Sequence, residues 1–250
     1  MYLTWLDSNS WLIEIAEQRI LLDPWLVDAL TFGNLDWLFK GSRLQDREIP
    51  TNIDLILLSQ GLEDHAHPPT LKLLEKNIPV VASPNAAKVV EKLGYTKITI
   101  LNHGENFTLN NQVEIKAIPG SQLGPTLLEN GYLLKDLVSG STLYYEPHGN
   151  HSPQLKQLES VDVIITPIVG LNLPLLGPII KGMNSALEVA KWLKPQIMLP
   201  TAAGGDVEFE GVLNNFIQAN GSVEEFQTLL EQQNLDTRVI AAKPGEKVSL

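Results

Sequence analysis

Cysteine is absent from all 250 residues, which excludes disulfides, thiolate metal sites and cysteine nucleophiles. Any metal must then be held by His, carboxylate or amide groups. No stretch reaches the roughly 18 uninterrupted apolar residues of a membrane helix, and the segment from Met1 to Trp11 lacks the basic-then-apolar pattern of a secretory leader. The chain is therefore expected to be cytoplasmic, with no membrane span. Positive charge is scarce as well: 18 Lys and Arg stand against 29 Asp and Glu, a formal net charge of −11. With no basic run to offset that field, nucleic acid is not an expected partner. Also missing is a Gly-x-Ser-x-Gly elbow, so Ser59, Ser121 and Ser152 lack the motif of a serine hydrolase.

What the chain does have is enough apolar residue, 44%, to bury a sizeable core, and a length that suits one domain over residues 1–250. Short strands bounded by turn residues open it, at Tyr2 to Leu6, Ser10 to Ile15 and Arg19 to Leu22, the last stopped by Asp23-Pro24. The continuous apolar run Ile53 to Leu58 reads as a strand covered on both faces, emptying into the polar loop Ser59 to His67. Helices at Leu71 to Lys76 and Asn85 to Leu93 then alternate with strands at Pro79 to Ala82 and Lys97 to Leu101. The second half repeats the order: strands at Phe107 to Leu109, Gln112 to Ile118, Gly131 to Leu137, Thr142 to Glu146 and Val161 to Thr166, then a helix at Asn184 to Leu193, a strand at Gln196 to Leu199 and a helix at Val223 to Gln233. Two sheets flanked by helices are expected.

The loop Ser59-Gln60-Gly61-Leu62-Glu63-Asp64-His65 follows a buried strand and precedes a helix. There it resembles the metallo-β-lactamase superfamily signature His-x-His-x-Asp-His. The stretch from Arg19 to Trp25 and the opening from Leu6 to Ile13 are similar to the L-ascorbate-6-phosphate lactonase-like branch of that superfamily. Ile118 to Gln122, Leu143 to Gly149 and Ile197 to Ala202 fall in the order of its later motifs. The resemblance implies an α+β, four-layer αββα sandwich. It also implies two metal ions held by five His and two Asp, of which only Asp64 and His65 match. The first and second His positions read Gln60 and Leu62, the third Gln122, the bridging Asp falls beside Pro147, and the last His reads Ala202.

Leu62 and Ala202 cannot ligate a metal, and Gln is a poor zinc ligand. The resemblance therefore implies no dinuclear centre: no cofactor, or at most one divalent ion, zinc, iron or manganese. Glu146 or His148 is positioned to complete a mononuclear site with Asp64 and His65. The leading expectation is a binding or structural derivative of a hydrolase, with Asp64 and His65 kept as a hydrogen-bonded pair that orders the loop. Against it stand a mononuclear hydrolase of a small ester, lactone or phosphate-type substrate, with Asp64 and His65 as catalytic residues, and a metal-free hydrolase. Gln60, Leu62, Gln122, Glu146 and Ala202 are expected to line the cleft. His67 and His103 read as turn residues, His151 as part of a helix cap, and Asp23 as a strand terminator with a role beside the site left open. Two apolar segments, Trp25 to Phe39 and Pro167 to Gly182, suit either a lid over an apolar small-molecule ligand or core and homodimer packing.

Overall fold

Alternation within the buried strands sets the architecture. In Leu55–Leu58, Leu55 and Leu57 join one apolar cluster while Ile56 and Leu58 join another; successive side chains point to opposite faces, so both faces of this strand are covered. This computed structural model describes all residues except 124–126, 175, 176 and 203. Its first half runs β1 (Tyr2–Trp5), β2 (Trp11–Ile15), β3 (Gln18–Leu22), β4 (Leu30–Thr31), β5 (Lys40–Arg43), β6 (Leu55–Leu58), α1 (Pro68–Leu73), β7 (Val80–Ala82), α2 (Pro84–Lys92) and β8 (Ile98–Ile100). Then come β9 (Asn106–Leu109), β10 (Val113–Leu123), β11 (Leu127–Asp136), β12 (Thr142–Tyr145), β13 (Val163–Thr166), β14 (Gly170–Leu173), β15 (Gly177–Ile180), α3 (Met183–Leu193), β16 (Ile197–Pro200), β17 (Val207–Glu210), β18 (Gln218–Asn220), α4 (Val223–Gln232), β19 (Arg238–Val239) and β20 (Lys247–Ser249).

Two seven-stranded sheets result, ordered β20-β1-β2-β3-β6-β7-β8 and β19-β16-β13-β12-β11-β10-β9. Between them lies a core that includes Trp11, Ile20, Leu57, Ile115, Tyr132, Tyr145, Ile165 and Leu199. The outer face of the first sheet packs on α1 and α2 through Ile56, Leu58, Leu71, Ala86 and Val90. That of the second packs on α3 and α4 through Tyr144, Ile164, Ala186, Val189, Phe226 and Leu230. The order of layers is αββα, as the sequence reading expects. Each large core side chain stabilises the stack by roughly 1.5–3 kcal/mol relative to exposure.

Three local details differ from the sequence expectations. The helix expected at Leu71 to Lys76 is Pro68–Leu73: the His67 side chain caps it by accepting from Thr70 N, and the two prolines occupy first-turn positions that need no N–H. Strands β10 and β11 run far past Ile118 and Gly131 as a long hairpin whose register shifts between Pro119 and Gln122. Pro119-Gly120 forms a β-bulge, and Gly120 fits there because a Cβ would sit 2.7 Å from Gly131 N. Pro167 to Gly182 contains the hairpin β14–β15, which with β18 makes a small sheet; Leu175 and Leu176 of that segment lie outside the described residues. A second small sheet, β17-β5-β4, draws on the other apolar segment.

Candidate metal centre

The parallel neighbours β3 and β6 end at the same edge of the sandwich as β12, β13 and β16, so the loops that follow them converge. Asp23, directly after β3, is fully buried. Its carboxylate accepts from Ser59 N at 2.7 Å and Tyr145 Oη at 2.7 Å, and also from Ser59 Oγ. His65 Nδ1 stands 2.8 Å from Asp23 Oδ2, and His65 Nε2 lies 3.1 Å from Asp64 Oδ2. One carboxylate thus holds each ring nitrogen. Burial opposes charge on this imidazole, but Asp64 and Asp23 outweigh it and raise His65 to about 10. The same contact lowers Asp64: burial works against ionisation, and the charge and hydrogen bond of His65 overcome it.

On the opposite wall, after β12, His148 Nδ1 lies 2.8 Å from Ser121 Oγ and 3.2 Å from Gln60 Nε2. Ser121 Oγ in turn donates to Glu146 Oε1 at 2.6 Å, while Glu146 Oε2 accepts from Asn150 N at 2.6 Å and His148 N at 3.2 Å. Burial pushes Glu146 up to about 7 despite these donors. His148 falls to about 4 through burial and the nearby His65 charge, so near neutral pH it offers a lone pair. The His65 and His148 rings meet edge to face, centroids 5.1 Å apart.

One ligand atom from each of Asp64, His65 and His148 lies within 4.8 Å of the others. This donor set fits a divalent cation on two further grounds. Asp64 Oδ1 is buried without a hydrogen-bond partner, as is Gln60 Oε1 beside His148; an orphaned carboxylate oxygen at such a place is the acceptor a cation satisfies. Behind His65, Asp23 forms the carboxylate–imidazole contact that orients metal-binding histidines. Leu62 and Gln122, at two positions where the resemblance implies histidines, stand on the neighbouring wall.

A cavity of about 760 Å³ opens on this cluster, lined at its polar end by Asn9, Asp64, Ser121, Gln122, His148 and Asn150. Leu62 and Ala202 also face it, whereas Gln60 and Glu146, expected on the cleft wall, are wholly buried and sit behind His148 as its support. Backbone strain collects at this edge. Asp7, Ser8, Asp23 and Ala202 all take left-handed conformations, with φ of 80°, 49°, 43° and 72°. His67 caps α1, His103 Nε2 contacts Glu129 O at 3.2 Å, and His151 lies against Tyr144 Oη at 3.2 Å; none joins the cluster. The cap before the turn at Pro153 is Ser152, not His151.

Asp23 ends its strand as expected, and its side chain, whose role beside the site the sequence leaves open, is the hub of the buried network. Nothing in the sequence signals the ion-pair group next to the site. Asp7, fully buried, holds Arg43 and, at 2.6 Å, Arg47, which also pairs with Asp206, while Asp206 N donates back to Asp7 at 2.8 Å. These contacts pin the loop after β16 and the β5 flap to the loop after β1. Asp-Ser and Gly-Asp dipeptides in loops carry no signal of that pairing.

A family model described as a beta-lactamase superfamily domain matches residues 2–202. A metal-dependent hydrolase of Caldivirga maquilingensis is 24% identical over 253 residues, covering 100% of this chain and 98% of that protein. Among solved structures, a metallo hydrolase from Ignicoccus hospitalis superposes with a TM-score of 0.72 at 18% identity, over 99% of this chain and 97% of that one. An isothiocyanate hydrolase from Delia radicum gut bacteria gives 0.74 at 16% identity, over 100% and 99%. The family match takes in Asp23, Asp64, His65 and His148 alike, and the chain belongs to the β-lactamase superfamily, in its metallo-β-lactamase fold with a partial metal site.

Proposed function

We propose that this protein is a hydrolase working with a single divalent ion held by Asp64, His65 and His148. The observation that carries the reading is the convergence of those three donors, an unpartnered Asp64 oxygen among them, at a cavity that Asp64 and His148 line and behind whose wall His65 is buried. Two imidazoles and a carboxylate are a catalytic zinc-type set that leaves a position open. When bound, the ion supplies Lewis-acid polarisation of the scissile group and acidifies water. The chain's own residues do the rest. Asp23 fixes the tilt and proton of His65; Ser121 and Glu146 hold His148; Leu62 and the apolar wall keep bulk water from the reacting end.

The test is metal content and turnover together, on protein purified without a His tag. The wild type is expected to hold close to one equivalent of zinc, iron or manganese, and His65→Ala and His148→Ala are each expected to lose both the ion and hydrolysis. Unchanged metal content in both variants would remove the site from consideration.

One observation favours a second reading, a binding protein on a hydrolase scaffold. His65, protonated between Asp23 and Asp64, already satisfies both ring nitrogens without an ion. Wild-type protein that takes up no metal while still binding a small apolar ligand would select it.

A further inference from the structure

The two small sheets form one continuous apolar wall, and the segment that joins them is one the sequence reading passed over. Residues 207–220 leave β17 in one small sheet, cross by a short turn at Leu213–Phe216 and enter β18 in the other. Val212 N to Trp37 O at 3.1 Å and Leu213 N to Leu38 O at 3.0 Å sew this crossing to the first flap. Phe32, Phe39 and Phe209 lie in a row, with centroids 5.6 Å and 5.5 Å apart. Facing them across the cavity stand Leu171, Leu173 and Ile179 of the β14–β15 hairpin. These side chains are only partly covered and enclose space instead of filling it. Among the described residues lining the cavity, Asp64 and Lys181 carry the charged side chains.

We infer that the apolar end of the cavity holds an aliphatic chain, so that the substrate class is an amphiphile: an ester or other hydrolysable acyl derivative with a long uncharged tail. This rests on the hydrolase reading for its chemistry but not for its binding. Asp64 and His148 sit in the same cavity as the phenylalanine row, so a tail lying along the row delivers its polar end to the proposed metal ligands. Volume agrees. A methylene is about the size of a water, roughly 30 Å³, so about 760 Å³ takes a ten-carbon chain and its head with room to spare. An apolar wall of this extent gives affinity in proportion to the methylenes it covers.

The experiment has two arms. In the first, chelator-treated full-length protein binds N-phenyl-1-naphthylamine, and 1-alkanols from butanol to decanol displace it. Affinity is expected to rise roughly tenfold for every two methylenes. Ile179→Asp places a charge on the wall at a residue 42% exposed and should weaken decanol at least tenfold while leaving the thermal midpoint in place. Ile217→Gln serves as a second variant should Ile179→Asp fail to fold. Affinity independent of chain length, or unaffected by both substitutions, overturns the inference. So does a dimer that dissociates in Ile179→Asp, since the wall would then be an interface between copies. In the second arm, zinc-loaded protein is given p-nitrophenyl esters of two to ten carbons. A rise of kcat/KM with chain length supports the tail site. Hydrolysis that is flat in chain length keeps the hydrolase reading and overturns this one; chain-length-dependent alkanol binding without any hydrolysis does the reverse.

Discussion

Replacing Asp23 by Asn tests the buried hub directly, because it removes one of the two charges acting on His65 while keeping the side chain's shape. At an effective dielectric near 20, two unit charges about 4 Å apart interact by roughly 4 kcal/mol, or about three pKa units. His65 is held up at about 10; without the Asp23 charge it should titrate near ~7. A histidine raised in the folded state contributes fully below its unfolded value of 6.5, and the contribution is lost as pH climbs toward about 10. Over those 3.5 units the wild type should lose on the order of 5 kcal/mol, and Asp23→Asn only a small part of it. The variant also leaves Ser59 and Tyr145 facing an amide, so its stability should start lower at pH 6. The assay is an NMR titration of the His65 ring in metal-free protein, alongside urea unfolding at pH 6, 8 and 9.5. A His65 that still titrates near 10 in Asp23→Asn, or urea midpoints that fall equally with pH in both proteins, refutes the assignment of Asp23 as the second counter-charge.

Three other outcomes follow from the same geometry. Zinc must displace the His65 proton, so calorimetry at pH 7.5 in buffers of different ionisation enthalpy should register release of about one proton from wild type and a fraction of that from Asp23→Asn; identical heats across buffers would exclude His65 as a ligand. Arg43→Met strands part of the buried Asp7 charge, and breaking such a pair costs about 3–5 kcal/mol, a fall in Tm of about 10 °C for a chain of this size, visible by calorimetry. Gly149 has φ of +73°, and a Cβ there would lie 2.0 Å from Lys181 O. Gly149→Ala should therefore shift the loop that carries His148, weakening zinc binding at least tenfold and costing roughly 1–3 kcal/mol; wild-type zinc affinity in a folded variant would show that the loop does not depend on this turn.

Much of the fold could be read from the sequence because it rests on local signals. Alternation in Leu55–Leu58 and the apolar stripe of α3 each bias a few residues strongly, and αββα stacking is the arrangement that covers every apolar face they produce. The flaps could not be read in the same way. Strands β4, β5, β17 and β18 have two to four residues each and are held by pairing with distant segments, Gly41 with Phe209 and Leu171 with Ala219, so nothing local distinguishes them from loop. The site divides along the same line. Asp64 and His65 were visible as a dipeptide at a strand end, and His148 as a candidate in a loop near the expected place. Asp23 and Ser121 acquire their roles from distances across the sandwich, and Glu146, expected as a ligand or on the cleft wall, stands instead behind His148. Asp23 lies 42 positions from His65 and 122 from Tyr145, yet contacts both. A sequence can therefore suggest which ligands are lost more readily than what supports those that remain. That support is what the proposed single-ion site rests on: a carboxylate behind His65 and a serine–glutamate pair behind His148 hold both rings in place, at the expense of burying two acids.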